Sequence, residues 1–549
     1  MSKRLAITIS GAVSLGSYEG GVLYEILTAL AQHNLDPRTT PDKKICVDVL
    51  TGASAGGMTA TICAQKLLYE NESFVDHRNN PLYLPWVKDV SLAGLLNLSK
   101  MDDPTESILS SELIQTISRR YLMQRYTTGL PPVISAHPAC ATSLFLGLAI
   151  SNLNGIDYAV PMMTGGQFIY TRHQDQFIRQ LTGAACDQPQ IWDPIRQAAV
   201  ACGSFPFAFR VQELIRLQSE YTQFTNSAPV GYPASSGAYA YTDGGVFQNE
   251  PLGMAKNLVD LIDHHQNFES RLYLFVAPGA KSSTINSDFR AANAKFFPLA
   301  ERLVSAIFEQ GRFQDWIMAE SVNQQIALFN QRAMALHGLL LNGSLNLQSV
   351  VTVNNGLLAS FYADAASAQA DFNRLQQQFA SEYSDLAKNV SQAAANAWIT
   401  AILLFERAAN LPDKDEMQIF GITATSDQLA GDVLMSFGGF FDQRLRDNDY
   451  DLGRLKTRQF IDAVNNNPNS PFYPIHYMPS PNQPITAVDP ALGTSTVQDL
   501  PQAQRVQLRN QIKNRVWETL SEIGFNDVVK FGIQEFFIDK KLNQWLALS

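Results

Sequence analysis

The first 280 residues alternate short apolar runs with stretches of helical period. "LAITIS" (5–10) reads as a buried strand. It leads into a stretch from about Tyr18 to Gln32 in which Val22, Leu23, Ile26, Leu27 and Leu30 recur at helical spacing. "ICVDVL" (45–50) reads as a second strand and "GGMTATICAQKLL" as the helix after it. "SLFLGLAISN" (143–152), "QFIYT" (167–171), "AYAYTD" (238–243) and "RLYLFVAP" (271–278) continue the strand series. Strands alternating with helices predict an α/β layer architecture on a largely parallel sheet.

From about Ser287 the texture changes. Ala, Gln, Leu and Phe dominate, and helical period runs through "AERLVSAIFEQGRFQDWIMAESVNQQIALFNQRAMA". A second long helical pattern covers "ADAASAQADFNRLQQQFASEYSDLAKNVSQAAANAWITAILLFERA", and the intervening "NGSLNLQSVVTVNNG" reads as a loop or hairpin. "NNNPNSPFYPIHYMPSPNQP" (465–484) reads as an irregular connection. The expected division is a catalytic domain over 1–286 and a mainly helical C-terminal region over 287–549, packed as a cap. Phe296, Leu299, Leu303 and Ile307, followed by Phe313, Trp316 and Ile317, form an apolar stripe read as core packing.

Composition narrows the options without selecting one. Hydrophobic residues make up 46% of the 549, and charged residues 17%, as in an ordinary globular protein. A net charge of -10 argues against a nucleic-acid partner, which needs clustered Lys and Arg. Cys46, Cys63, Cys140, Cys186 and Cys202 are odd in number and scattered, which argues against a disulfide framework or structural zinc and fits a reducing compartment. The longest apolar stretch, "AAANAWITAILLF" (393–405), falls short of the roughly 20 residues that span a bilayer. The expectation is a cytoplasmic chain without a transmembrane segment or cofactor.

Candidate chemistry starts at "GASAG" (52–56), a G-x-S-x-G match centred on Ser54. A strand ends just before it and a helix begins near Gly56, so Ser54 sits at a sharp strand-to-helix turn. Small neighbours such as Gly52 and Gly56 suit that tight backbone, and the helix N-terminus favours developing negative charge. The competing reading is a glycine-rich turn with no chemistry. "SGAVSLGSYEGGVL" (10–23) follows the first strand, and Gly11 and Gly16 let its backbone turn and present N–H groups. If the first two strands are neighbours, this loop lies beside Ser54, where an acyl-transfer serine needs donors for its oxyanion. A phosphate-cradling loop is excluded, because no G-x-x-x-x-G-K-[ST] occurs. "YTDGGVFQNEP" (241–251) places Asp243 at a strand end before Gly244 and Gly245; taken alone, it reads as a turn aspartate.

A glycine loop after strand one, GxSxG after the next strand and DGG much later together resemble the patatin-like phospholipases. "AVACGSFPFAFR" (199–210) looks like the family's small-residue and proline segment, and "FGGFFDQRLRDNDYDLGR" (437–454) is similar to a stretch of its larger bacterial members. The resemblance implies a three-layer α/β sandwich and a lipid acyl hydrolase. It makes Ser54 the nucleophile, Asp243 its partner in a dyad without histidine, and the 11–16 loop the oxyanion hole. Main-chain N–H groups of Gly11, Ala12, Val13 and Ala55 are then the candidate donors. The chain departs from the family's usual G-G-G-x-[Arg/Lys]-G, reading "GAVSLG": Ala12 and Val13 stand where glycines are usual, and Leu15 where a basic residue is. The hole then depends on whether Val13 needs a positive φ.

Two other readings stand beside this one. A Ser-His-Asp hydrolase would draw its base from His264, His265, His337 or His476. A catalytically weak interaction protein would keep the fold and use its helical half for a partner. The expected partner of the first reading is a lipid or other ester, met at a membrane surface; oligomeric state and head group are left open.

Overall fold

The computed structural model describes residues 2–103, 105–127, 133–162, 166–223, 229–230, 236–263, 271–280 and 289–293. It also describes 299–408 with short gaps, 417–432, 436–492, 502–522 and scattered positions up to 548. Within these residues the chain divides into two compact units, one of Met1–Trp316 with Gln418–Ser549 and one of Ile317–Met417.

The larger unit is built on a mixed, mostly parallel sheet. Its strands are β1 (Lys3–Ile9), β2 (Ile45–Gly52), β3 (Cys140–Pro161), β4 (Gln167–Thr182), β5 (Gln212–Leu217), β6 (Ser236–Asp243), β7 (Arg271–Ala280) and β8 (Ile419–Thr425). They lie in the order β5-β6-β3-β2-β1-β7-β8, with β4 paired to β3 alone. β1 pairs in parallel with β2 and β7, β2 with β3, and β7 with β8. The first two strands are therefore neighbours, as the loop argument required. β2 is buried along nearly all its length, as a central strand covered on both faces must be. The helix α1 (Gly16–Leu35) follows β1, and α2 (Ser54–Tyr69) follows β2. This is the α/β architecture that the alternation of runs predicts.

The C-terminal stretch does not separate at residue 287. Ile419–Thr425 returns to the sheet edge as β8, and the helix Gln443–Asn465 packs along α1. The crossing is close: a Cβ on Gly21 would lie 1.9 Å from the Tyr450 carbonyl oxygen, and one on Gly453 2.2 Å from that of Tyr18. Buried charges lock it, with Arg454 Nε donating to Glu25 at 2.9 Å. Residues 467–491 then run without regular structure, matching the Pro- and Asn-rich reading.

Part of the apolar stripe read as core is exposed. Leu299, Leu303 and Ile307 are exposed, while Trp316 stands edge-on to Phe275 at 5.1 Å. Phe296 and Phe313 lie outside the described residues.

The smaller unit is a helical bundle around Trp398, whose indole N–H donates to the Ala333 carbonyl at 2.8 Å. It corrects one expectation. Most of the 342–356 stretch read as loop or hairpin belongs to a helix, Leu347–Phe361, capped by the Asn346 side chain, and Asn354 on it donates to the Ala397 carbonyl at 2.7 Å. The β-branched run there disguised a helical face. Among the described residues no helix is long and apolar enough to cross a membrane.

Candidate active site

Ser54 opens α2 directly after β2, with φ at 50°, in the left-handed region that ordinary side chains avoid. Such a turn persists only when its neighbours fix it. Ala53 N–H donates to the Ile9 carbonyl at 3.2 Å, tying the turn to β1, and Gly57 N–H donates to the Ala53 carbonyl. Gly56 is required by closeness: a Cβ there would sit 2.4 Å from the Ser10 carbonyl oxygen. The serine is held in a strained strand-to-helix turn with its hydroxyl at the N-terminus of a sixteen-residue helix.

Sheet register brings Asp243 to it. Gly52 on β2 pairs with Leu148 on β3, and two residues further along β3, Ile150 pairs with Asp243 on β6. The carboxylate thus arrives across one strand from the serine. Ser54 Oγ donates to Asp243 Oδ2 at 2.6 Å, and Gly245 N–H donates to Oδ1 at 2.7 Å. The backbone is fixed as well, since Asp243 N–H donates to the Ser204 carbonyl and Ser151 Oγ to the Asp243 carbonyl. Burial pushes the Asp243 carboxyl up to about 7, against the Ser54 and Gly245 hydrogen bonds, which lower it. A carboxylate so placed accepts a proton near neutral pH. Gly244 is pressed against β3, where a Cβ would come 2.0 Å from the Ala149 carbonyl oxygen.

The 11–16 loop lies against the serine: a Cβ on Gly11 would be 2.9 Å from that of Ser54. Gly11 is not an oxyanion donor, however. Its N–H donates to the Asn249 carbonyl at 2.9 Å, and the Asn249 side chain donates back to the Gly11 carbonyl at 3.2 Å. Among the described residues, the N–H groups of Ala12, Val13 and Ala55 donate to no backbone carbonyl outside their own helices. Val13 does adopt a positive φ, 51°, which valine takes only under constraint. Gly16 packs beneath Trp86, whose ring a Cβ would meet at 2.6 Å.

Ser54, Ala55 and Val13 open on an apolar pocket with about 790 Å3 of empty space, part of it open to solvent, walled by Met58, Ile62, Trp86, Ile117, Phe205 and Phe440. Three contributors went unread in the sequence: Asn249, inside a stretch noted only for its DGG; Cys202, whose thiol lies 3.8 Å from the Ser54 carbonyl oxygen; and Phe440, from the far end of the chain. The "QNEP" two residues after the DGG was the available signal for Asn249.

The histidine alternatives fare differently. The His476 ring lies tilted against that of His33, centroids 5.4 Å apart, and its backbone N–H donates to the His33 ring. His337 belongs to the smaller unit, where its ring meets the Glu382 carbonyl. His264 and His265 lie outside the described residues. No histidine stands between Ser54 and Asp243, whose hydrogen bond is direct.

Two comparisons bear on this geometry. An uncharacterized protein, y4iI, of Sinorhizobium fredii is 24% identical in an alignment covering 56% of this chain and 54% of that protein; the chain therefore spans about half the length of that relative. The family model of the patatin-like phospholipases matches residues 7–256, which contain the loop, Ser54 and Asp243. Over residues 7–256 this chain is similar to the patatin-like phospholipases.

Proposed function

We propose that the chain is a serine-dependent lipid acyl hydrolase working through a Ser54–Asp243 dyad. The observation that carries this reading is the direct 2.6 Å hydrogen bond to the buried Asp243 carboxylate from Ser54 Oγ, whose residue lines an apolar pocket. Asp243 takes the hydroxyl proton as Ser54 Oγ attacks the ester carbonyl carbon. Negative charge collects on the former carbonyl oxygen, where the Ala12, Val13 and Ala55 N–H groups and the α2 N-terminus stabilise it. The intermediate collapses to an acyl-serine as Asp243 returns the proton to the leaving alkoxide. Water, deprotonated by Asp243, then attacks the acyl carbon; the fatty acid leaves and Asp243 returns the proton to the expelled Ser54 Oγ.

The pocket wall of Met58, Ile62, Trp86 and Phe440 offers a fatty-acyl chain a largely apolar environment, worth about 0.8 kcal/mol for each methylene it buries. That supports a lipid ester over a small polar one. The test is mass spectrometry of products released from a mixed lipid extract. Free fatty acid formed by the parent and absent with Ser54→Ala is the expected result. Equal release by both proteins would remove the reading.

A further inference from the structure

A valine in the left-handed region is strained, so Val13 stays at φ 51° only where its surroundings over-determine it. Those surroundings come from the other end of the chain. The fully buried Ser14 hydroxyl donates to the Ser436 carbonyl and accepts from Gly439 N–H at 3.1 Å. Leu15, next along, packs on Gly431, where a Cβ would lie 3.1 Å from Leu15 Cδ2. Both gripping segments are in turn fixed by one helix, Gln443–Asn465. Its Arg446 donates to the carbonyls of Gly439 (2.6 Å) and Val87 (3.1 Å). One turn later, Asp449 accepts from the N–H groups of Ala430 (2.7 Å) and Gly431 (2.8 Å). Arg446 and Asp449 are three residues apart, hence on one helix face, and both are buried. The same segment then sends Phe440 into the pocket wall beside Val13.

We infer that residues 430–432 and 436–449 form a clasp that positions the oxyanion loop: by gripping Ser14 and Leu15 they hold Val13 in its strained conformation, with its N–H free at the pocket. Arg446, Asp449, Ser436 and Gly439 are positioning residues, since they act through Ser14 and Leu15 rather than on substrate. The inference rests on the Ser54–Asp243 reading for its catalytic consequence, while the mechanical grip on the loop stands without it.

The test is a double-mutant cycle read with a p-nitrophenyl ester. Ser14→Ala removes both grips on the hydroxyl. It should lower kcat roughly 10- to 100-fold with KM within about threefold, short of the roughly 10²–10³ lost with a whole oxyanion donor. In a Val13→Gly background, where a positive φ is unstrained, the same change should cost less than about threefold. Arg446→Gln, acting from outside the loop, should repeat the pattern and so guards against a folding artefact at Ser14. Equal losses in both backgrounds, or no loss in the parent, would overturn the clasp. Amide hydrogen exchange supplies a readout without turnover: peptides covering 11–16 should exchange faster in Ser14→Ala and Arg446→Gln, and those covering 54–69 should not. Unchanged exchange at 11–16 would also overturn it. Faster exchange there, in a parent that hydrolyses no ester, would instead uphold the clasp and remove the proposed function.

Discussion

Ser54 and Val13 line the same pocket with nearly the same unusual backbone, φ 50° and φ 51°, yet they are held in different ways. The serine turn is fixed by the strand that precedes it, the helix that follows and the adjacent end of β1, through Ala53 to Ile9 and Gly56 to Ser10. The valine turn is fixed through Ser14 by Ser436 and Gly439, more than 400 residues away in sequence. A strained turn carried by small neighbours announces itself in composition. One carried by distant contacts shows in the sequence only as a departure from an expected motif.

If the serine turn is where the chemistry is done, substitutions there should have the largest effects. Asp243→Asn keeps the size of the group and removes the proton acceptor. Ester turnover should fall by about 10² to 10⁴, measured as kcat on a p-nitrophenyl ester. A loss below about tenfold would move the base elsewhere.

The next effect is steric. Gly56→Ala places a methyl 2.4 Å from the Ser10 carbonyl oxygen, and β1 cannot yield without shifting the sheet. A destabilisation of about 1–3 kcal/mol is expected in urea unfolding, together with lost activity. Gly338→Ala, with nothing within 4 Å in its helix, should be neutral or stabilising by up to about 1 kcal/mol. If both glycines tolerate alanine equally, the close approach at the serine turn is not real.

A smaller, graded effect should follow pH. Asp243 must be ionised to accept a proton, and burial has raised it to about 7, so kcat/KM should rise with pH through a midpoint near 7. Stability should move the opposite way. Between the ordinary aspartate value of about 3.9 and about 7, the folded protein holds a proton that the unfolded chain has released. Stability from this group is therefore full below about 4 and is lost as pH rises toward 7. Asp243→Asn should gain stability relative to the parent at pH 8 compared with pH 4, read as the difference in melting temperatures. A parent whose activity is flat from pH 5 to 8 would break the link between burial and function.

The smallest effects belong to the histidines. His337→Gln and His476→Gln should leave ester hydrolysis within about threefold of the parent, because Ser54 and Asp243 bond directly. A collapse with either would restore a triad.

Much of the site was legible because it is local. β1, the loop, β2, the GASAG turn and α2 follow one another in the first 69 residues, and the DGG sits at the end of a strand of its own. The pairing that joins them was not legible. That Asp243 reaches Ser54 depends on β3 pairing with β2 at Leu148 and with β6 at Ile150, a register no local pattern encodes. The same holds for β8: "IFGITAT" is a short run in a helix-rich stretch, and only the free edge of β7 makes it a strand. Gly11 failed as a donor for a similar reason, since Asn249, 238 residues on, claims its N–H.

The central claim is that Ser54, activated by Asp243, is the nucleophile. It is tested most directly by intact-protein mass spectrometry after treatment with a fluorophosphonate. The parent should gain a single adduct mapping to Ser54, and Ser54→Ala should gain none while its melting temperature stays within a few degrees of the parent. An adduct that persists in Ser54→Ala, or that maps to another residue of the parent, would contradict the account.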